Sequence, residues 1–270
     1  MIHYPERLLL ILILALSGIT IPVTPIAETG DIRIGIVLMH GKGGSPTKYV
    51  LELDSALEKK GFLVANLEMP WSGKRNYDVN VSVAEQEVES ALTSLRSRGA
   101  QKFFVAGHSL GGLFALYFGG RHVVDGIIAI APGGNAGGAL MRDKLGGSVD
   151  MARKLVADGK GEEKVILSDY EGTRGIYPVN TTPAAYLSWF DPDGAMNETL
   201  AVKNMNPAVP VLFIAPKDDY PVLIKTKRLM FNSLPGNQLS ILYEPDSGHL
   251  DAPSASIEEI IRWTMNVAIP

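Results

Sequence analysis

Compact apolar runs alternate along the chain with stretches whose apolar residues recur every three or four positions. Arg33 to Met39 (RIGIVLM) predicts a buried strand. Tyr49 to Lys60 places Val50, Leu53 and Leu57 on one face and stops at Gly61, which predicts a helix. Phe62 to Leu67 predicts a second strand. Val83 to Arg98 predicts a helix with Val88, Ala91, Leu92 and Leu95 inward, ended by Gly99. Lys102 to Ala106 predicts a third strand, Leu110 to Phe118 a helix apolar on most sides, and Val124 to Ile130 a fourth strand ending at Ala131-Pro132. The rhythm resumes with strands at Val209 to Ala215 and Gln238 to Tyr243, and a helix from Ser256 to Val267 closes the chain.

Near-continuous β-branched strands separated by helices imply an α/β fold: a mostly parallel, open, twisted sheet covered by helices on both faces. Between Gly133 and Pro210 the alternation stops. This stretch is rich in glycine, proline and aromatic residues, and its one predicted helix is Val149 to Ala157, ended by Gly159. It is too long for an ordinary loop. The expectation is a lid or cap insertion, residues 133–208, over the carboxyl edge of the sheet and inside a single domain spanning 28–270.

The first residues follow another pattern. Arg7 precedes a wholly apolar run from Leu8 to Leu16, then Ser17, Gly18 and Ile19 to Val23. A short basic end before an apolar stretch of this size predicts a secretory signal. It is short for a membrane span of about 20 residues, and Pro22 and Pro25 interrupt any helix. Ala27 is the candidate cleavage site, with Pro25 awkwardly two residues before it. Residues 1–27 are therefore expected to be a signal peptide or an uncleaved N-terminal anchor. The protein is expected to be exported, periplasmic or secreted, with a membrane tether if the segment is retained.

Composition narrows the function. Of 270 residues, 46% are hydrophobic and 20% charged, which reads as globular rather than disordered. The net charge of −4 gives no electrostatic footprint for nucleic acid. With no cysteine, disulfides, thiolate metal sites and thiol-linked lipid are excluded, which suits a bacterial periplasmic enzyme. The sequons at Asn80, Asn180 and Asn197 are then coincidental.

The strongest chemical signal is Gly107-His108-Ser109-Leu110-Gly111-Gly112. It follows a predicted strand and opens a predicted helix, the context a G-x-S-x-G turn requires. A serine on that tight turn projects its hydroxyl above the sheet, and side chains at the flanking glycines would collide with neighbouring backbone. Ser109 is the candidate nucleophile, and serine needs a base. Of five histidines, His3 lies in the signal, His108 is expected to point away from its neighbour Ser109, His122 ends a helix and His40 ends the first strand. His249 remains, on a loop between the last strand and the last helix. An orienting acid is expected after the penultimate strand, where both Asp218 and Asp219 stand.

An oxyanion hole needs convergent backbone N–H groups. Leu110 follows the nucleophile and supplies one. The loop His40-Gly41-Lys42-Gly43-Gly44-Ser45 can turn in a second, that of Lys42, with His40 in a structural role. A phosphate-loop reading fails for want of G-x-x-x-x-G-K-[ST] spacing.

With these residues assembled, the chain resembles the α/β-hydrolase superfamily from Arg33 to Val267, on its HG loop, GHSLGG elbow, late aspartate and final histidine. Asp219 falls where that family carries its acid in G-x-x-D, with Pro216 in place of the glycine, so the register against Asp218 stays open. The resemblance implies acyl transfer with Ser109, Asp219 and His249 as the triad and Lys42 and Leu110 as the oxyanion hole. It implies no metal and no cofactor.

The expected partner is a small-molecule acyl substrate, an ester or thioester, with no obligate protein partner. A peptidase or amidase on the same triad is the alternative, and a non-catalytic envelope binding protein the alternative outside enzymes. Tyr177, Tyr186, Leu187, Trp189 and Phe190 cluster in the insertion. They either pin it to the sheet or line a pocket, and Trp189 and Phe190 are the candidate substrate-binding residues.

Overall fold

The computed structural model of the chain describes Met1 and residues 32–269, so the expected signal or anchor lies outside the described residues. The strands are β1 (Ile34–Met39), β2 (Leu63–Leu67), β3 (Lys102–His108), β4 (Gly126–Ile130), β5 (Val165–Glu171), β6 (Gly175–Thr181), β7 (Val211–Ile214) and β8 (Ile241–Tyr243). The helices are α1 (Leu51–Lys59), α2 (Val81–Ser97), α3 (Leu110–Gly119), α4 (Ala139–Ala157), α5 (Pro183–Phe190), α6 (Glu198–Lys203), α7 (Pro221–Asn232), α8 (Ala252–Ala255) and α9 (Ile257–Ala268).

Six strands form one sheet in the order β2-β1-β3-β4-β7-β8, every pairing parallel. Because successive side chains of a strand face opposite ways, the strands supply two cores. Val37, Met39 and Val105 join α2 and α3 on one face, and Ile36, Leu38, Phe104 and Ala106 join α1 and α9 on the other. Parallel strands sandwiched in this way must be apolar throughout, which is why β1 and β4 are buried along their whole length. The chain runs from β1 outward to β2 and then crosses to β3 on the other side. Loops after β1 and β3 therefore meet at a crevice on the carboxyl edge, the usual ligand position in open α/β sheets.

Residues 133–208 hold more regular structure than the sequence suggests. Helix α4 begins at Ala139 instead of Val149; Gly146 and Gly147 lie inside it, and a side chain at either would meet open space. Strands β5 and β6 form an antiparallel hairpin of their own. Helix α5 starts on Thr182, whose hydroxyl accepts from the Ala185 N–H, with Pro183 in the first turn. Leu167, Val179, Tyr186, Trp189 and Phe190 then join the core on the α2 and α3 face. Outside this region, α7 was not anticipated. Pro221 just inside its start was the available signal. Two of the sequons have a structural use, since Asn80 and Asn197 cap α2 and α6 by accepting from Val83 and Leu200 N–H groups.

Candidate active site

The turn between β3 and α3 is fixed by close backbone approach. A side chain at Gly107 would collide with the Gly111 carbonyl, and one at Gly111 would come within 2.7 Å of the Met39 carbonyl oxygen. With those positions bare, Ser109 can take φ 54°, a strained conformation for a residue with a Cβ, at the head of α3. Its own N–H donates to the Ile130 carbonyl at 2.8 Å, and its carbonyl accepts from Gly133 and Leu113. Strain held by that many partners aims the hydroxyl into the crevice.

Three residues from three loops meet there. The Ser109 hydroxyl and His249 Nε2 are 3.0 Å apart, and His249 Nδ1 is 2.7 Å from Asp219 Oδ1. A carboxylate only accepts, so the Nδ1 proton belongs to the histidine and Nε2 is left to accept from the serine. Asp219 also accepts from the Tyr220 N–H at 2.6 Å, and the Tyr220 ring lies 4.5 Å from that of His249. Asp219 is buried and Asp218 exposed, so the structure brings Asp219, not its neighbour, to the histidine. The turn after β7 thus keeps the G-x-x-D register despite Pro216.

His108 points away from Ser109 as expected, yet its contact is informative. Its Nε2–H donates to the backbone carbonyl of His249 at 2.9 Å, so it braces the His249 loop. Burial, helped by the nearby His249, lowers the His108 pKa to about 3 and keeps the ring neutral. His40 is fully buried. Its Nδ1–H donates to the Gly41 carbonyl at 2.7 Å, its Nε2 accepts from the Met69 N–H at 3.0 Å, and burial lowers its pKa. It ties down the loop after β1, as the sequence predicts.

That loop is a turn in which the Gly44 N–H donates to the Gly41 carbonyl and Gly43 has φ +65°, a conformation glycine supplies without strain. Gly41 packs against the elbow so closely that a side chain there would sit 3.0 Å from the Ser109 Cβ. The N–H groups of Lys42 and Leu110 have no hydrogen-bond acceptor among the described residues. The Lys42 side chain is pulled back into the protein, where its ammonium donates to Asp169 Oδ1 at 2.6 Å and to the Tyr170 carbonyl at 3.1 Å.

The two candidate pocket residues separate. Trp189 is enclosed by Trp71, Phe114 and Tyr77, and its ring N–H donates to the Val79 carbonyl at 2.8 Å. It pins the insertion to the core, and its expected place as a pocket wall is corrected accordingly. Large apolar rings in a segment whose own sheet is a two-stranded hairpin are buried against the main core first. Phe190 borders a cavity of about 190 Å³ with Met141, Leu145, Val149, Arg142 and Arg153, and Ser109, Asp219 and His249 are not among its lining residues.

Beside Ser109 stand residues the sequence did not single out. A side chain at Gly133 would approach both Leu223 of α7, at 3.3 Å, and the Ser109 hydroxyl, at 3.7 Å. Leu223 thus stands near Ser109, on the far side of Gly133, on a helix that the apolar pattern does not reveal. Among the described residues no cluster of His, Cys, Asp and Glu is arranged to hold a metal.

A model of the alpha/beta hydrolase family matches residues 36–261. Over 227 residues the chain is 23% identical to Esterase EstD of Thermotoga maritima, covering 80% of this chain and 54% of that protein; it spans about half the length of this relative. Among solved structures it is similar to a highly thermostable carboxyl esterase from Bacillus coagulans (TM-score 0.64, 16% identity, 88% of this chain and 91% of the other). It is also similar to the Paleococcus ferrophilus monoacylglycerol lipase (TM-score 0.61, 19% identity, 86% and 94%) and to the proline iminopeptidase of Mycobacterium smegmatis (TM-score 0.52, 14% identity, 87% and 90%). At these identities the structural likenesses establish a shared fold.

Proposed function

The chain belongs to the alpha/beta hydrolase family, and from that premise we propose that it hydrolyses carboxylic esters or related acyl bonds through Ser109, His249 and Asp219. The observation that carries the reading is the unbroken line from the Ser109 hydroxyl through His249 to Asp219, at 3.0 and 2.7 Å.

In this mechanism His249 Nε2 takes the hydroxyl proton as Ser109 Oγ attacks the substrate carbonyl carbon. Asp219 holds the ring in the tautomer that leaves Nε2 free and stabilises the imidazolium that forms. The carbonyl oxygen becomes an oxyanion and accepts from the Lys42 and Leu110 N–H groups, at the positive end of α3. His249 returns the proton to the leaving alkoxide, and the acyl group stays on Ser109. Water then attacks the acyl-enzyme with His249 again as base, releasing the acid and restoring the serine. Every step uses groups of this chain.

Ester over amide follows the name of the esterase relative; peptidase chemistry on the same triad is the competing outcome. Steady-state rates on a panel of p-nitrophenyl esters, thioesters and aminoacyl anilides test the assignment. Turnover of esters with anilides untouched supports it. Anilide cleavage with a higher kcat/KM than any ester overturns it in favour of a peptidase. The apolar run after Arg7 supports an exported location, for which recovery in an extracytoplasmic fraction is the check.

A further inference from the structure

The strongest polar cluster outside the triad surrounds Asp169, on the inward face of the β5–β6 hairpin. The carboxylate is fully buried and accepts at every site it has. Lys42 Nζ and the Tyr170 N–H reach Oδ1, each at 2.6 Å, and the Tyr77 and Tyr177 hydroxyls reach Oδ2, each at 2.7 Å. Burial raises the pKa of both phenols, so they stay neutral donors. The Lys42 side chain is 6% exposed and its ammonium also lies 5.3 Å from the centre of the Phe190 ring. One carboxylate thus gathers the loop after β1, the loop after β2 and the insertion.

A buried ion pair is weak evidence for stability, because desolvation offsets much of its attraction. The position of this one suggests another use. Lys42 is the second residue of the Gly41–Gly44 turn; its backbone N–H has no acceptor among the described residues, while its side chain is drawn back to Asp169. Gly43 has φ +65°, so the turn could adopt other peptide orientations at small steric cost. His40 and Trp71 brace the loop on one side: Trp71 Nε1–H donates to the His40 carbonyl at 2.8 Å, and the Gly43 N–H to the Trp71 carbonyl at 3.3 Å. Lys42–Asp169 is the brace on the other.

We propose that Asp169 is a positioning residue for catalysis: through the Lys42 side chain it holds the Lys42 N–H in register with the oxyanion. The inference rests on the Ser109 hydrolase reading above. It makes the insertion part of the catalytic apparatus through charge, not through a pocket wall.

The test compares Asp169→Asn with the double variant Lys42→Met, Asp169→Leu, which replaces the ion pair by apolar side chains and keeps the Lys42 N–H. Readouts are kcat and KM on a p-nitrophenyl ester, melting temperature, and the labelled fraction at saturating fluorophosphonate. A pair that positions the N–H predicts full labelling in both variants, KM within about twofold, and kcat lower by on the order of 10- to 100-fold, since one misaligned donor acts on the transition state. It predicts that the double variant regains melting temperature without regaining kcat. Recovery of kcat together with melting temperature, or an unchanged kcat in Asp169→Asn, overturns the proposal.

If neither variant folds, Tyr177→Phe removes a single donor from Oδ2. A few-fold loss confined to kcat supports the proposal, and an unchanged kcat overturns it. Wild-type protein that neither turns over any ester nor reacts with the probe would instead overturn the parent reading, before any variant is compared.

Discussion

At Ser109 the tight turn depends on bare glycines two residues to either side, with backbone bonds that also reach Ile130 and Gly133. At Asp169 a buried charge is held by partners 8, 92 and 127 positions away in sequence, at Tyr177, Tyr77 and Lys42. The elbow is steric: missing side chains at Gly107 and Gly111 let strand and helix close on each other. The hairpin is electrostatic: a carboxylate is buried only because four donors meet it. Steric solutions are written locally and repeat as a motif. Charge solutions depend on the fold to bring distant residues together. The two regions therefore answer differently to substitution.

Ser109→Ala should fold with wild-type stability and lose hydrolysis by on the order of 10⁶, the scale seen when a serine protease loses its nucleophile. Steady-state kinetics with a melting curve on the same sample checks it. Residual turnover near wild type would erase the contrast, since the elbow would then be no more than a turn.

Asp219→Asn should cost on the order of 10⁴ in kcat, because an amide favours the wrong histidine tautomer. Asp218→Asn, at an exposed position, should leave kcat within about twofold, as surface changes away from special features do. The reverse ranking in a paired kinetic assay would show that the turn after Pro216 presents the other carboxylate.

These two regions also explain what could be read from the sequence. The six-stranded sheet, the elbow and the loop at Lys42 were legible because each depends on a run of apolar residues or on spacing within one turn, and His249 because it alone of five histidines lies between the last strand and the last helix. Asp169 was not legible. Its neighbours in sequence are Ser168 and Tyr170, neither of which marks it, and its partners Lys42 and Tyr77 lie across the fold. Helix α4 was half hidden by Gly146 and Gly147, which lower helix propensity while their positions face open space. Trp189 was ambiguous for a different reason. Apolar bulk in an irregular segment must be buried, but sequence does not say against what.

Trp189→Ala sharpens the contrast from the insertion side. Removing an enclosed indole should destabilise by about 3–5 kcal/mol, read by denaturant titration. After correction for folded fraction, kcat/KM should fall alike for every ester of a chain-length series. Unequal changes across the series, with stability intact, would return Trp189 to the substrate pocket.

The smallest effect on activity is expected at Glu198, buried at the start of α6 with its pKa raised to about 8 by burial alone. A carboxyl whose folded pKa lies above its unfolded value of about 4.5 favours the fold fully below pH 4.5 and loses that contribution as pH rises through 8. Glu198→Gln should therefore gain melting temperature relative to wild type between pH 5 and pH 8. His108 works in the opposite direction. Its folded pKa of about 3 lies below the unfolded 6.5, so its contribution is present above pH 6.5 and lost as pH falls toward 3. A Glu198→Gln difference that is flat with pH would mean that this carboxyl titrates normally.

The central claim is that one hydroxyl, at the strained head of α3, carries the acyl chemistry. Fluorophosphonate labelling followed by peptide mass mapping tests it most directly, because the probe phosphonylates only an activated nucleophile and the adduct survives digestion. The account predicts a single stoichiometric adduct on Ser109 in the wild type, none in Ser109→Ala, and strongly slowed formation in Asp219→Asn. An adduct on any other residue, or undiminished labelling of Ser109→Ala, would contradict it.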